Sequence, residues 1–250
     1  MHRHIPIQFG WPTSYGKHGK VAPFFGLDFD GGDLAYAPAF RNMSVSGEKL
    51  SVFCWLKSSG PAGVIIGQWF GPSFSTRSWR IIGDRVELTN VGSSSTIKVA
   101  EFPSNMYDGN YNHIGFTWDT GTVKLWKNGV DVTGIISPND PFTSLYDNSV
   151  NIHLILGTDR QTGGSYGSYF RGDLSQVLTA PIAMTQAQIQ ALMVGRLPPS
   201  VSAYYQMQPG TGQTLIDSGT GGHDMQLGIN PIAPDLRSPG WNGPFTGLPF

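Results

Sequence analysis

Residues 111–132 read Tyr-Asn-His-Ile-Gly-Phe-Thr-Trp-Asp-Thr-Gly-Thr-Val-Lys-Leu-Trp-Lys-Asn-Gly-Val-Asp-Val. Ile114, Phe116 and Trp118 alternate with His113, Gly115 and Thr117, which puts the two sets on opposite faces of one strand. Asp119-Thr120-Gly121 breaks the alternation, and Val123 and Leu125 resume it. Asn128-Gly129 turns the chain again before Val130 and Val132. Both central residues of a type I′ turn need positive φ, so Asn-Gly is the strongest short hairpin signal. The stretch predicts a three-strand antiparallel meander with a buried face.

Working outward, Leu50, Val52, Cys54 and Leu56 share one face of a strand and Phe53 and Trp55 the other, so that strand is expected between two layers. Strands are also expected through Leu27 and Phe29, through Leu34 and Tyr36, and over Val64–Phe70, Ser78–Ile82, Arg85–Thr89 and Thr96–Val99. Further strands are expected over Val150–Leu156, from Tyr169 onward, and over Tyr204–Met207, Thr214–Ile216 and Met225–Leu227. One helix is convincing. Thr185 caps it with Gln188 three residues on, Ile189, Leu192 and Met193 share a face, and Gly195 ends it. Residues 1–25 read as an extended N-terminal arm and residues 231–250 as a Pro-rich C-terminal arm, both suited to a sheet edge or a neighbouring molecule. Gly163 to Tyr169 reads as a flexible loop, and a long loop is expected from Ser137 to Asn148.

The whole chain agrees with an all-β reading. Only 13% of its 250 residues are charged, while 33 Gly and 18 Pro exceed a fifth of the chain, and no long helical pattern occurs. That length can bury one large core without staples. A net charge of −1 gives no electrostatic footprint for nucleic acid or an anionic membrane. The lone Cys54 rules out an internal disulfide and reads as a small core residue. The opening Met-His-Arg-His-Ile-Pro-Ile lacks the apolar run of a signal peptide, and no stretch approaches a membrane span, so a soluble protein is expected.

Several blocks resemble the laminin-G-like jelly rolls of the concanavalin A-like superfamily. They are Leu27-Asp-Phe-Asp-Gly-Gly-Asp, Leu50-Ser-Val-Phe-Cys-Trp-Leu-Lys, the Tyr111–Val130 hairpin, and Tyr169-Phe-Arg-Gly-Asp-Leu-Ser-Gln-Val-Leu leading to Met184-Thr-Gln-Ala-Gln-Ile. The resemblance covers roughly Gly26 to Val194. It implies an all-β, two-sheet antiparallel jelly-roll sandwich with one short helix and extended terminal arms, the sandwich proper spanning residues 26–230. Two departures stand out. Residues 204–227 look like a phrase that commonly opens such a domain, yet here they close one. Either they supply permuted first strands or a truncated second copy begins there. The first is preferred, because too few residues remain for another sandwich. In the final strand, Ser175 and Gln176 stand where the family usually carries an acidic pair.

The superfamily includes glycoside hydrolases, which need two carboxylates about 5–10 Å apart. The three glutamates here, Glu48, Glu87 and Glu101, are far apart in sequence, so no enzyme is expected. Gly163-Gly-Ser-Tyr-Gly fits a nucleophile elbow only on paper, since a strand rather than a helix follows. Arg171-Gly-Asp falls within the expected final strand, the histidines show no metal spacing, and Asn42-Met-Ser is a glycosylation pattern that matters only if secreted. Trp69, Trp79, Tyr166 and Tyr169 lie near loops and are the candidate ligand-stacking residues, with core or interface positions as the equal alternative; Trp55, Trp118 and Trp126 read as core. Many relatives hold calcium near their ligand rim, and Asp28, Asp30 and Asp33 could supply oxygens to such an ion. The simpler reading is that they bond their own turn.

The expected role is a virion-surface structural protein, a bacteriophage capsid-decoration, spike or fibre component with glycan-binding capacity. Its partners would be other virion proteins and further copies of the chain, a trimer among the candidate assemblies. The alternative is a carbohydrate-binding module of an extracellular or surface protein.

Overall fold

The alternation read from the sequence becomes strands along most of the chain. The computed structural model describes residues 24–38, 48–60, 63–69, 77–90, 97–103, 106–137, 142–146, 153–160, 165–207, 213–228 and 239–245. Its first strands are β1 (Phe24–Asp30), β2 (Ala35–Ala37), β3 (Lys49–Lys57), β4 (Val64–Trp69) and β5 (Arg77–Ile82). Next come β6 (Arg85–Thr89), β7 (Ile97–Glu101), β8 (Asn112–Asp119), β9 (Thr122–Lys127), β10 (Val130–Asp131) and β11 (Ile136–Ser137). Then follow β12 (Leu154–Leu156), β13 (Asp159–Arg160), β14 (Tyr166–Gly167), β15 (Arg171–Ala180) and the helix α1 (Gln186–Met193). The last are β16 (Ala203–Tyr205), β17 (Thr214–Leu215), β18 (Met225–Leu227) and β19 (Gly240–Phe245).

Two large sheets face each other. Sheet A runs β10-β9-β8-β3-β15-β1-β19, with β16 also paired to β15; sheet B runs β11-β7-β6-β5-β4-β12-β2-β18-β17. All of these pairings are antiparallel. The meander is β8-β9-β10, and its second turn has Asn128 at φ 51° and Gly129 at φ 74°, the geometry of a two-residue hairpin loop. Asn128 also reaches back across the meander. Its backbone N–H donates to His113, and its side-chain oxygen accepts from the His113 N–H at 2.8 Å.

Period two sorts the side chains. Leu50, Val52, Cys54, Leu56, Ile114, Phe116 and Trp118 enter the core between the sheets, where Leu154, Leu156, Trp79, Ile81, Val86 and Leu88 meet them from sheet B. The opposite face of β3 is buried as well, under a third layer. Phe53 joins Trp126, Leu178, Ile189, Leu192 and Tyr204 beneath α1, while Trp55 packs with Tyr111 and Met193. A helix of eight residues would not persist alone, so this apolar seat holds it. Thr185 and Gln188 form the expected capping box. Gly195 and Arg196 donate back to Leu192 and Ala191, closing a Schellman motif beyond Val194. Cys54 is fully buried, and burial pushes its thiol up to about 12.

Several expectations need correction or fall outside the described residues. Tyr166–Gly167, read as part of a flexible loop, pairs with Asp159–Arg160 as the small hairpin β13-β14. Ile136–Ser137, at the start of the expected long loop, pairs with β7. Residues 1–23, 231–238 and 246–250 of the expected arms lie outside the described residues, as do 150–152 of the strand expected at 150–156. Part of the C-terminal stretch is nevertheless strand β19, paired with β1. The 204–227 region enters both sheets, through β16 on β15 and β18 on β2. At Ser175 and Gln176 the final strand carries a bulge, with Gln176 at φ 46°.

Candidate functional site

One line of directly opposed residues crosses the outer face of sheet B. Val99 faces Glu87, which faces Arg80, which faces Gly67. Gly67 faces Ile155, Ile155 faces Tyr36, and Tyr36 faces Gln226. The strand neighbours of these residues, among them Trp79, Ile81, Val86, Leu88, Leu154 and Leu156, point into the core, so the row faces outward. With strands about 4.8 Å apart, the seven positions span about 29 Å.

At one end the row is charged. Arg80 Nε donates to Glu87 Oε2 at 2.8 Å and Arg80 Nη1 to Asp159 Oδ2 at 2.6 Å, while Arg85 Nε donates to Glu87 Oε1 at 2.8 Å. Gly67 makes room for this. A Cβ there would lie 2.7 Å from the Arg80 Cβ, and without one the Arg80 stem lies across β4 with its guanidinium 4.2 Å from the Trp69 ring centre. Arg77 stands 5.1 Å over the same ring. Burial lowers the Arg77 pKa first and Arg80 lowers it further, with Asp159 and Glu87 offsetting part of the shift. The Arg80–Asp159 bond also ties the β13-β14 hairpin to the sheet.

At the other end the row is aromatic and amide. Tyr36 donates its hydroxyl to Gln226 Oε1 at 2.8 Å and meets His153 edge-on at 5.7 Å. Burial, then the nearby Arg160, lowers the His153 pKa, so the neutral imidazole is favoured. His153 Nδ1 and Gln226 Nε2 are buried and make no hydrogen bond among the described residues.

The stacking residues read from sequence fare unequally. Trp79 is fully buried in the core, with Nε1 donating to Gln68 and its ring edge-on to Phe116, so it cannot meet a ligand. Trp69 belongs to the site but is only 4% exposed beneath its two arginines, and is a support rather than a stacking platform. Tyr166 is half-buried opposite Arg160, and half-buried Tyr169 bridges Val64. Asp28, Asp30 and Asp33 lie elsewhere, in and after β1 of sheet A. There Asp33 Oδ2 accepts from the Asp30 N–H at 2.7 Å and Asp30 Oδ1 from the Gly32 N–H at 3.0 Å, as turn residues do. Burial and neighbouring Asp30 push the Asp33 carboxyl up to about 6. Among the described residues no group of three His, Cys, Asp or Glu side chains is placed to hold a metal ion.

Arg80, Glu87, Asp159, Tyr36, His153 and Gln226 were not singled out from the sequence as binding residues. Parity could have found two of them: Arg80 alternates with Trp79 and Ile81, and Glu87 with Val86 and Leu88. Nothing local links Gln226 to Tyr36.

The family described as the concanavalin A-like lectin/glucanases superfamily matches residues 29–190, more than half of the chain. No curated relative matches. Among solved structures, a Bacteroides ovatus protein assigned to carbohydrate binding is 16% identical with a TM-score of 0.56, over 84% of this chain and 62% of that one. The chain thus spans less than two thirds of that relative's length. A heptameric SAP-like pentraxin from Limulus polyphemus is 13% identical at a TM-score of 0.49, over 83% of this chain and 95% of that one. A tailspike protein of an Escherichia coli bacteriophage is 13% identical at 0.46, over 72% and 26% respectively. At these identities the likeness is one of fold, and the last two are too distant to carry further argument.

Proposed function

The chain belongs to the concanavalin A-like lectin/glucanases superfamily, and from that premise we propose that it is a non-catalytic glycan-binding module that reads its ligand on the outer face of sheet B. The observation that carries the reading is the cross-strand row from Glu87 to Gln226. Its half-buried Arg80, Tyr36 and Gln226 offer a guanidinium, a phenol ring and an amide on rigid strands, the mixture that recognises polar ligands with apolar patches. Glu87 of the row and Asp159 of β13 are both buried, so neither carboxylate is open to a sugar bond as those of a glycosidase pair must be. Glu87 and Asp159 are both bonded to Arg80. The Bacteroides ovatus protein assigned to carbohydrate binding, alike in fold, lends support.

The setting we favour is a surface exposed to solvent, on a virion as a decoration, spike or fibre component or on an extracellular protein. The virion reading rests on sequence features: low charge and Pro-, Gly- and aromatic-rich terminal stretches. The mass of the protein in solution bears on it, since a trimer or larger symmetric assembly favours a particle component.

A glycan array tests the binding reading. The full chain should bind a subset of glycans, and Tyr36→Ala and Tyr166→Ala should each weaken binding about tenfold or more, equivalent to about 1.4 kcal/mol. Unchanged binding in both variants, with the fold intact by circular dichroism, would move the site off sheet B.

A further inference from the structure

Sheet B ends at two open strands. It runs from β11 at one margin to β17 at the other, and each of these pairs on one side only among the described residues. The two most exposed large apolar side chains of the described residues sit at those margins. Ile135, 73% exposed, lies just before β11, and Ile216, 60% exposed, just after β17. Edge strands are commonly guarded against pairing by charge or proline, but residues 133–137 (Thr-Gly-Ile-Ile-Ser) and 213–216 (Gln-Thr-Leu-Ile) contain neither. Sheet A differs, since its edge β10 carries exposed Asp131 and its edge β19 carries Pro244.

The outward backbone groups follow from those already used inside the sheet. Leu227 N–H donates to the Gln213 carbonyl at 2.8 Å, so Gln213 and Leu215 turn their polar groups toward β18. Alternation leaves the N–H and C=O of Thr214 and Ile216 facing outward. At the other margin Glu101 N–H donates to the Ile135 carbonyl at 3.3 Å, so Ile135 and Ser137 face β7 while Gly134 and Ile136 face outward. Side chains obey a parity of their own. Ile136 and Leu215 pack on the core, whereas Ile135, Ser137, Thr214 and Ile216 are exposed on the outer face.

We propose that β11 of one molecule pairs in parallel with β17 of a second copy, so that sheet B continues head to tail from chain to chain. Strand direction and edge parity both lead to this arrangement. Nine strands that alternate antiparallel leave the first and the last running the same way, so copies in one orientation meet in parallel. With Ile136 opposite Leu215, Ile136 N–H meets the Thr214 carbonyl and Ile216 N–H meets the Ile136 carbonyl, and both core-facing side chains stay on the core face. An antiparallel β11–β17 ladder would set Ile136 opposite Thr214 or Ile216, forcing a core-facing side chain onto the outer face or the reverse. A two-fold pairing of β17 with itself would leave β11 and Ile135 bare, whereas the head-to-tail contact covers both margins at once. Such a contact is heterologous, so copies close into a ring or extend as a filament. It is also small, so assembly rises with concentration.

The test is the mass of the full chain by light scattering, from micromolar to near-millimolar concentration. The mass should climb past two copies. Ile135→Lys and Ile216→Lys alter exposed side chains at opposite margins, and each alone should weaken association about tenfold or more. Each variant keeps the edge that the other lacks, so an equimolar mixture should form dimers that grow no further. Thr214→Pro, which removes an outward N–H, should act as Ile216→Lys does and replaces it if that variant loses its folded circular dichroism spectrum. A monomer mass across the whole range would overturn the proposal. Association unmoved by the lysine at either margin would also overturn it, as would an equimolar mixture that stays monomeric. None of these outcomes touches the ligand reading of sheet B, which the array decides.

Discussion

Lowering the pH should destabilise this protein through one buried histidine. His113 lies on β8 beneath the helical layer, its ring stacked on Phe53 at 5.3 Å and 5° and tilted against Trp55 at 5.2 Å. It is 1% exposed, and its Nδ1 makes no hydrogen bond among the described residues. Burial pushes its pKa down to about 3 in the folded protein, against about 6.5 in an unfolded chain. Because the folded pKa is the lower one, the unfolded chain takes up the proton first, and stability falls as pH drops below about 6.5. At pH 4.5 the loss from this residue is about 3 kcal/mol, and it levels off near ~5 kcal/mol below pH 3. Measured against a total stability of about 5–15 kcal/mol, that is a large share. The assay is urea unfolding followed by tryptophan fluorescence at pH 7 and pH 4.5, for the native chain and for His113→Phe, which keeps an aromatic ring and removes the titration. Carboxylates titrate in both proteins, so only the difference between them counts. That difference should change by about 3 kcal/mol between the two pH values in favour of the variant. A difference constant within about 0.5 kcal/mol would refute the reasoning.

Trp118→Ala should lower stability by ~3–5 kcal/mol, because the ring is fully buried and packs on Phe142 at 5.3 Å; a loss under about 1 kcal/mol would mean that the core closes over the gap. Thr185→Ala should remove about 1 kcal/mol by opening the capping box, read as a shift in the urea midpoint at unchanged slope. Arg80→Ala should remove ~3–5 kcal/mol, since Glu87 and Asp159 would stay buried without their shared guanidinium. A near-neutral effect would show that water replaces the arginine. Deleting residues 239–250 should lower the melting temperature and promote association, because β1 loses its partner β19 and becomes an open edge. From sequence alone, loss of the whole arm, residues 231–250, would be expected to leave the sandwich folded and to weaken only its assembly with neighbours, and an unshifted melting curve would restore that view.

How far the fold could be read ahead of the structure depends on distance along the chain. The meander and α1 are written in local terms: alternation, Asn128-Gly129, and the Thr185/Gln188 cap. β3 announced its two buried faces through Phe53 and Trp55. Trp79 was legible too, since it shares parity with Ile81 and that parity puts it in the core. Trp69 was not, because register shifts between Val64 and Ile66 and between Gln68 and Trp69 break the period that would have placed it. β19 hides among Pro and Gly because its pairing with β1 is a long-range event. The site was legible only in part for the same reason. Arg80 and Glu87 sit two strands deep in a readable hairpin, whereas the Tyr36–Gln226 contact joins residues 190 positions apart.

That last kind of contact has a consequence for how the protein is made. On its two flanks β1 pairs with β15 and β19, and β2 with β12 and β18, all of them supplied much later in the chain. More than two hundred residues separate Leu27 from its partner Trp241. At a ribosome adding roughly 5–20 residues per second, β1 would wait about 10–40 s for its last neighbour. Neither sheet can close during that interval, so the N-terminal strands emerge as unpaired edges. The sandwich is expected to fold late, after its C-terminal strands leave the ribosome, and its yield in a cell should depend on how well those early edges are shielded.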